Sequence, residues 1–318
     1  MPSSWQPSAT ISRLRQRAEI MRQIRDFFHA RHYLEVETPL LCRTTVTDPY
    51  IQSIPAFPGL STDPFYLQTS PEYAMKRLLA SGSGSIFQIS KAFRLGDLGR
   101  HHQPEFTLLE WYHIDVDHHQ LMDEMDELLQ LILRTDKADR ISYGKLFQDC
   151  LGIDPHTATL DILADCAEKN SIQVADDICD CTTWLHLLLT HCIEPQLGNQ
   201  KPCFIYDFPI AQSALARVQT TSPPVASRFE VYFNGLELAN GFHELNDANE
   251  QRLRFEINNM QRAALGLPPL RMDELLLSAL SYGLPACSGV ALGIDRLVML
   301  ATGESEIASV ISFDFSRV

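Results

Sequence analysis

An excess of positive charge is missing from this chain. In 318 residues, 26 Lys and Arg face 40 Asp and Glu, a net charge of −14 at pH 7. No global basic field exists for wrapping a long polyanion, so nucleic acid is disfavoured and only local basic patches remain. Paired cysteine motifs are missing too. The eight cysteines (42, 150, 166, 179, 181, 192, 203 and 287) form no CxxC and keep no regular spacing, so neither a zinc ribbon nor a disulfide framework has its signature. Reduced thiols in a cytoplasm fit best. No run approaches the roughly 18 apolar residues of a membrane helix, and Met1 to Ser12 carries polar Ser, Gln and Thr where a secretory signal needs an apolar stretch. The expectation is a soluble, cytoplasmic protein with no membrane partner. Internal repeats and low-complexity tracts are absent. What is present, 45% hydrophobic and 21% charged residues, suffices for a sizeable core without disulfide or metal staples.

Apolar positions Leu14, Ala18, Met21, Ile24 and Phe28 step by four, three, three and four, which predicts a long amphipathic helix ending near Ala30. Tyr33 to Thr38 then alternates and meets Pro39, an extended segment. Pro71-Glu72 suits the first turn of a helix carrying Met75, Leu78 and Leu79, stopped by Gly82-Ser-Gly-Ser85. Ser85 to Phe93 and Phe106 to Ile114 read as a hairpin with a long tip, Arg94 to Glu105. From 117 to about 200 the pattern is mainly helical, an insertion within one domain spanning 1–318. Asn234-Gly235 supplies the positive φ angles of a tight turn between strands 229–233 and 236–242. A helix follows over roughly Asp247 to Leu265, and Gly289 to Gly293 forms a strand leading into a helix at Ile294. Helices and hairpins alternate without a βαβ rhythm, so the fold class is α+β, an antiparallel sheet flanked by helices.

Several constellations can carry chemistry. At the Gly293 junction, unpaired helix N–H groups, the helix dipole and Arg296 can hold a phosphate; the plainer alternative pairs Arg296 with Asp295 or another acid. Arg94-Leu95-Gly96 through Arg100, His101, His102 and Gln103 can fold over a polyphosphate, or form a solvated turn; the two histidines lack a third ligand for zinc. Glu237 and Glu244 stand seven apart, on opposite faces of a perfect strand. A bulge at Asn240-Gly241 would bring them to one side, where a divalent metal or an ammonium would have to separate the two charges. The alternative is two exposed glutamates. Ser70-Pro71-Glu72 and Tyr112 mean little separately.

In order along the chain, Tyr33-Leu-Glu-Val-Glu-Thr-Pro39, then Phe93-Arg94 with Arg100-His-His-Gln-Pro-Glu-Phe-Thr-Leu-Leu-Glu-Trp-Tyr112, then Gly289-Val-Ala-Leu-Gly-Ile-Asp-Arg296 resemble motifs 1, 2 and 3 of class II aminoacyl-tRNA synthetases. Glu237-Leu-Ala-Asn-Gly-Phe-His-Glu-Leu-Asn-Asp247 is similar to the lysyl branch, and Ser70-Pro-Glu-Tyr-Ala-Met-Lys-Arg-Leu-Leu79 with Glu110-Trp-Tyr112 to a subfamily of stand-alone catalytic domains that ligate β-lysine to elongation factor P. About a dozen residues precede the first helix, too few for the five-stranded OB barrel that binds an anticodon.

The resemblance implies the class II catalytic fold and adenylation of an amino acid with ATP and Mg²⁺, followed by transfer to a lysine of elongation factor P. Catalytic Arg94 and Arg296 would hold the α- and γ-phosphates. Leu95, Gly96, His102, Gln103, Glu237, Leu238 and Gly293 would complete the ATP site, and Glu237 and Glu244 would serve the metal. Ser70, Pro71, Glu72, Tyr112, Glu244 and Ala291 would line the amino-acid pocket. Two departures stand out: Gly96 replaces the usual motif 2 Glu, with Asp97 one place later, which bears on nucleotide affinity. Ala291 replaces a common Gly, which favours (R)-β-lysine over α-lysine. A homodimer through motif 1 is implied as well. The competing readings are a truncated synthetase acylating tRNA, and a non-catalytic paralogue; retention of Arg94, Glu237, Glu244 and Arg296 argues against the latter.

Overall fold

A computed structural model describes residues 5–59, 63–96, 98–174, 178 and 180–318. Asp97 and Cys179, both singled out above, lie outside the described residues. The chain divides into two compact units, one comprising residues 1–115, 245–287 and 291–318, the other 116–244 and 288–290.

The first unit opens with α1 (Ile11–His29), where the Thr10 side chain accepts a hydrogen bond from the Arg13 N–H and so caps an orphan donor. Its buried residues are Ile20, Ile24, Phe27 and Phe28. Ala18 is exposed and half-buried Arg17 takes the inward position instead. The stripe predicted from apolar spacing is therefore shifted there, because a cation with a buried partner occupies the core face. Strands β1 (Leu34–Glu35), β2 (Leu41–Cys42), β3 (Pro55–Ala56) and β4 (Phe65–Leu67) follow, the last three forming a small sheet in the order β2-β4-β3. Helix α2 (Glu72–Ala80) starts after Pro71, which is its cap residue, one position outside the first turn predicted for it. Then β5 (Ile86–Phe93) and β6 (Glu105–Ile114) pair antiparallel from Ile86↔Tyr112 to Phe93↔Glu105. Residues 107–112 of β6 are all buried, as in a strand covered on both faces. Phe28 stacks on Phe87 at 4.7 Å and lies 5.2 Å from both Tyr33 and Trp111. This cluster fixes α1 on β5 and β6, each large ring contributing about 1.5–3 kcal/mol by burial.

The second unit begins at α3 (His118–Leu133), whose Asp117 and Gln120 form a reciprocal capping box. After it come β7 (Asp139–Ser142), α4 (Tyr143–Leu151), α5 (Leu160–Lys169), α6 (Cys181–Leu188), β8 (Cys203–Pro209), β9 (Val218–Gln219), β10 (Val225–Phe233) and β11 (Leu236–His243). The strand order is β11-β10-β8-β7, with β9 beside β10. Its helices close over one face through Tyr143, Phe147, Leu163, Leu188 and Phe208. Antiparallel pairing dominates, as the α+β expectation has it, with two parallel pairs added: β7 beside β8, and β1 beside β5 in the first unit. Helices α4 to α6 provide the long crossover that a parallel pair requires, so one βαβ arrangement does exist. Its strands are too short and mixed in polarity to announce it.

The Asn234-Gly235 turn forms as the sequence predicts, with φ of 51° and 72°. The bulge does not sit at Asn240-Gly241, which pair in register with Glu230 and Phe229. It sits at Leu238, because Val231 pairs with Ala239 and Tyr232 with Glu237. Gly241 answers a different need: a Cβ there would stand 2.4 Å from the Phe229 ring.

The chain returns to the first unit with α7 (Ala248–Ala264), capped by Asp247, and α8 (Glu274–Gly283), which the sequence pattern leaves unassigned. Strand β12 (Cys287–Gly293) then passes directly into α9 (Ile294–Ala301). Buried Asp295 accepts the Thr107 N–H at 2.9 Å and pairs with Arg17 at 2.7 Å, joining α1, β6 and α9. Among the described residues no helix is long and apolar enough to cross a membrane. Removing one member of a buried ion pair leaves its partner uncompensated, which costs about 3 kcal/mol or more. Asp295→Ala should therefore lower the unfolding free energy of the full chain by about that amount, read as a lower urea midpoint; an unchanged midpoint would contradict the role given to this carboxylate.

Candidate active site

In the first unit, the sequence-predicted phosphate ligands come from the β5–β6 tip and the start of α9. Arg94 follows the last residue of β5, its N–H bonded to Pro104 O at 2.9 Å across the tip. Its guanidinium lies 5.2 Å from the Phe106 ring centroid, and its Nε is buried without a partner among the described residues. A buried, permanently charged donor without an acceptor is costly unless an anion arrives. Gly96 turns through φ 88°, with open space around the position of a Cβ. This conformation favours glycine, and Leu95 beside it is exposed.

The tip is held in place from outside. Arg100 Nε donates to Ser305 O at 2.7 Å, Ile307 N–H donates to Arg100 O at 3.1 Å, and the side-chain oxygen of buried Gln103 accepts the Phe315 N–H at 2.9 Å. Arg296, in the first turn of α9, reaches the same tip: Nη2 lies 2.6 Å from His102 Nε2, and Nε donates to His101 O at 3.3 Å. Asp295, the neighbouring acid offered as a partner for Arg296, is paired with Arg17. Gly293 is the α9 cap residue and contributes no side-chain cap, leaving the first-turn N–H groups of the helix in their anion-favouring arrangement. Arg94, His102, Gln103, Gly293 and Arg296 are thus set on connected elements of one unit.

A polar wall stands in the same unit. Ser70 Oγ donates to Glu110 Oε1 at 2.6 Å and accepts the Glu72 N–H at 3.0 Å, and the Tyr112 hydroxyl lies 3.4 Å from Glu110 Oε2. Residues 110 and 112 share a face of β6 by strand parity. Glu72 accepts an ion pair from buried Lys76 at 2.6 Å. Burial first, and the Glu72 charge second, push the Tyr73 phenol well above its usual range, so it stays neutral. Glu110 and Lys76 were not among the residues assigned a role from sequence. The available signal was a single carboxylate inside the apolar run Leu108 to Trp111. Buried Pro71 opens the α2 turn, and Ala291 is half-buried on β12.

Glu237, Leu238 and Glu244 belong to the second unit. The Leu238 bulge changes the parity of β11, which puts Glu237 on the face of Asn240 and Phe242; alternation continued past the strand end would put Glu244 there as well. Glu244 is buried, bridges to Ala216, and its carbonyl accepts the Arg217 Nε–H at 2.9 Å. Beside it, burial and the Arg217 charge push His243 down to about 4, leaving a neutral imidazole next to the acid. Two carboxylates on one face suit a divalent cation or an ammonium group, and the uncommitted Arg94 Nε suits a phosphate. Taken unit by unit, the arginines of the first suit the phosphates of ATP, and the acids of the second suit a cation such as Mg²⁺.

Residues 5–317 match the model of the family described as tRNA synthetases class II (D, K and N). The chain is 49% identical to a Vibrio atlanticus protein named Elongation factor P--(R)-beta-lysine ligase, over the whole of both chains. It is 50% identical to the protein of that name from Vibrio cholerae, over 99% of each chain, and 51% identical to that from Salmonella dublin, over 99% of this chain and 98% of the other. Motif order, the sheet and helix arrangement of each unit, and identity along the entire length agree, and the chain belongs to the class II (D, K and N) tRNA synthetase family.

Proposed function

We propose that this chain activates (R)-β-lysine with ATP and transfers it to a lysine side chain of elongation factor P. The observation that carries the reading is identity of about one residue in two along the full length of proteins named for that reaction. Geometry supports the activation half. A carboxylate oxygen of the amino acid attacks the α-phosphorus, the bond to the β-phosphate oxygen breaks, and pyrophosphate leaves. The ε-amine of the acceptor lysine then attacks the acyl carbon, loses a proton, and expels AMP with formation of an amide. No covalent enzyme nucleophile is needed; positioning and charge neutralisation supply the rate.

In this reading Arg94 holds the α-phosphate and Arg296 the γ-phosphate, with Leu95, Gly96, His102, Gln103, Leu238 and Gly293 shaping the nucleotide site. Glu237 and Glu244 would hold Mg²⁺, which would supply neutralisation of phosphate charge. Ser70, Pro71, Glu72, Tyr112, Glu244 and Ala291 receive the amino acid, its ammonium groups facing the acids. Glu110 orients Ser70 and Tyr112 through the hydrogen bonds described above, and Lys76 balances Glu72. The Ala291 methyl favours the β-amino backbone over α-lysine. The whole chain works as one catalytic domain, in the cytoplasm, as a homodimer built through the motif 1 region. The second reading, tRNA acylation, has only family membership in its favour, against a net charge of −14.

ATP–pyrophosphate exchange is expected to run fastest with (R)-β-lysine, slower with (S)-β-lysine and α-lysine, and the acyl group is expected on elongation factor P. Exchange followed by charging of tRNA alone would select the second reading, and no exchange with any of the three would remove the activity. Arg296→Ala should slow adenylation by at least roughly tenfold through loss of a charge-assisted phosphate contact; an unchanged rate would take Arg296 out of the site. Light scattering at micromolar concentration should give twice the monomer mass, and a monomer mass would refute the dimer.

A further inference from the structure

The second unit holds a cluster that none of these roles uses. His118 and His119 open α3, and Asp207 lies on β8; one ligand atom from each falls within 4.8 Å of the others, and among the described residues this is the one group of three or more such side chains so placed. His118 Nε2 stands 3.4 Å from Asp207 Oδ1. That is long for a hydrogen bond, yet it matches the edge of a tetrahedron whose centre lies about 2.1 Å from each ligand, the reach of zinc to imidazole and carboxylate. His118 is 3% exposed.

The backbone is bent to make this approach. Asp207 has φ 59°, the left-handed region that a non-glycine residue adopts at a cost. The pairing of β8 with β10 is irregular at the same place, shifting between Ala226 and Phe229 opposite Tyr206 to Phe208. Asp207 is therefore re-aimed out of the regular alternation of its strand. Gln219 donates to Asp207 Oδ1 at 3.0 Å, orienting the carboxylate as an outer partner of a ligand does. The two imidazole rings lie 4.2 Å apart, and His119 is held edge-on against Tyr206 at 5.2 Å. Asp207 reaches solvent, with a quarter of its side chain exposed, so an ion has an entry path.

We propose that His118, His119 and Asp207 bind a divalent transition-metal ion of the zinc class, completed by water, and that the ion fastens the start of α3 to β8. Two imidazoles and one carboxylate match the preferences of zinc and its neighbours and do not suit magnesium or calcium, which take oxygen ligands. The site is separate from the Mg²⁺ assigned above and needs no activity to be tested.

The test uses the full-length chain, stripped with a chelator and titrated with Co²⁺ and Zn²⁺. One equivalent of Zn²⁺ should survive dialysis, Co²⁺ should give the visible bands of a four-coordinate site without a thiolate charge-transfer band, and added Zn²⁺ should raise the melting temperature. His119→Ala and Asp207→Asn, both at side chains that reach solvent, should each weaken binding at least roughly tenfold and abolish the thermal shift. A thiolate band would place the ion on cysteines and overturn the proposal, as would undiminished binding in both variants or no retained ion in the unsubstituted chain. Should a variant fail to fold, the cobalt spectrum of the unsubstituted chain decides alone.

Discussion

A single buried carboxylate organises the first unit. Asp295 binds the Thr107 backbone and the Arg17 guanidinium, so the helix of motif 1, the strand of motif 2 and the helix of motif 3 share one electrostatic anchor. In an environment of low polarity such a contact is worth keeping only if both partners are held. Its consequence lies one residue further on. With Asp295 turned inward and already paired, Arg296 projects toward the β5–β6 tip, where it meets His102, while that tip is tied to the C-terminal segment through Arg100 and Gln103. Arg296 is therefore positioned by an anchor, Asp295 with Arg17 and Thr107, to which the proposed reading gives no part in binding phosphate.

The same logic governs the amino-acid wall. Glu110 sits in a strand buried on both faces, where Ser70 and Tyr112 are among the groups that satisfy it. Glu72 is likewise balanced by Lys76. In the proposed reading such a wall presents oriented acceptors to a cation while keeping its own charges paired. That arrangement suits a small diamine, whose ammonium groups lose their water shell on binding and must be repaid by fixed carboxylates.

Much of this was legible in the residues. The Asn234-Gly235 turn, the β5–β6 hairpin with its long tip and the β12-to-α9 junction follow from local chemistry, and they form as that chemistry demands. The misses share a cause: they depend on what stands opposite in three dimensions. Ala18 fits an apolar stripe that the fold instead gives to Arg17, because Asp295 arrives from a segment almost three hundred residues away. Gly241 has the composition of a bulge, but Phe229 across the strand pair claims its missing side chain, and the bulge moves to Leu238, a residue with no local mark of one. Asp207 in a left-handed conformation was equally invisible, since nothing in Ile205-Tyr-Asp-Phe-Pro209 signals it. Helix α8 and the parallel β7–β8 pair were hidden by short, weakly periodic segments.

The most direct test of the account is a crystal structure of the chain with (R)-β-lysine and a non-hydrolysable ATP analogue. The account predicts Arg94 and Arg296 within hydrogen-bond distance of the phosphates, with Asp295 still held by Arg17 and Thr107. A nucleotide bound elsewhere, with both guanidinium groups turned away from it, would contradict it.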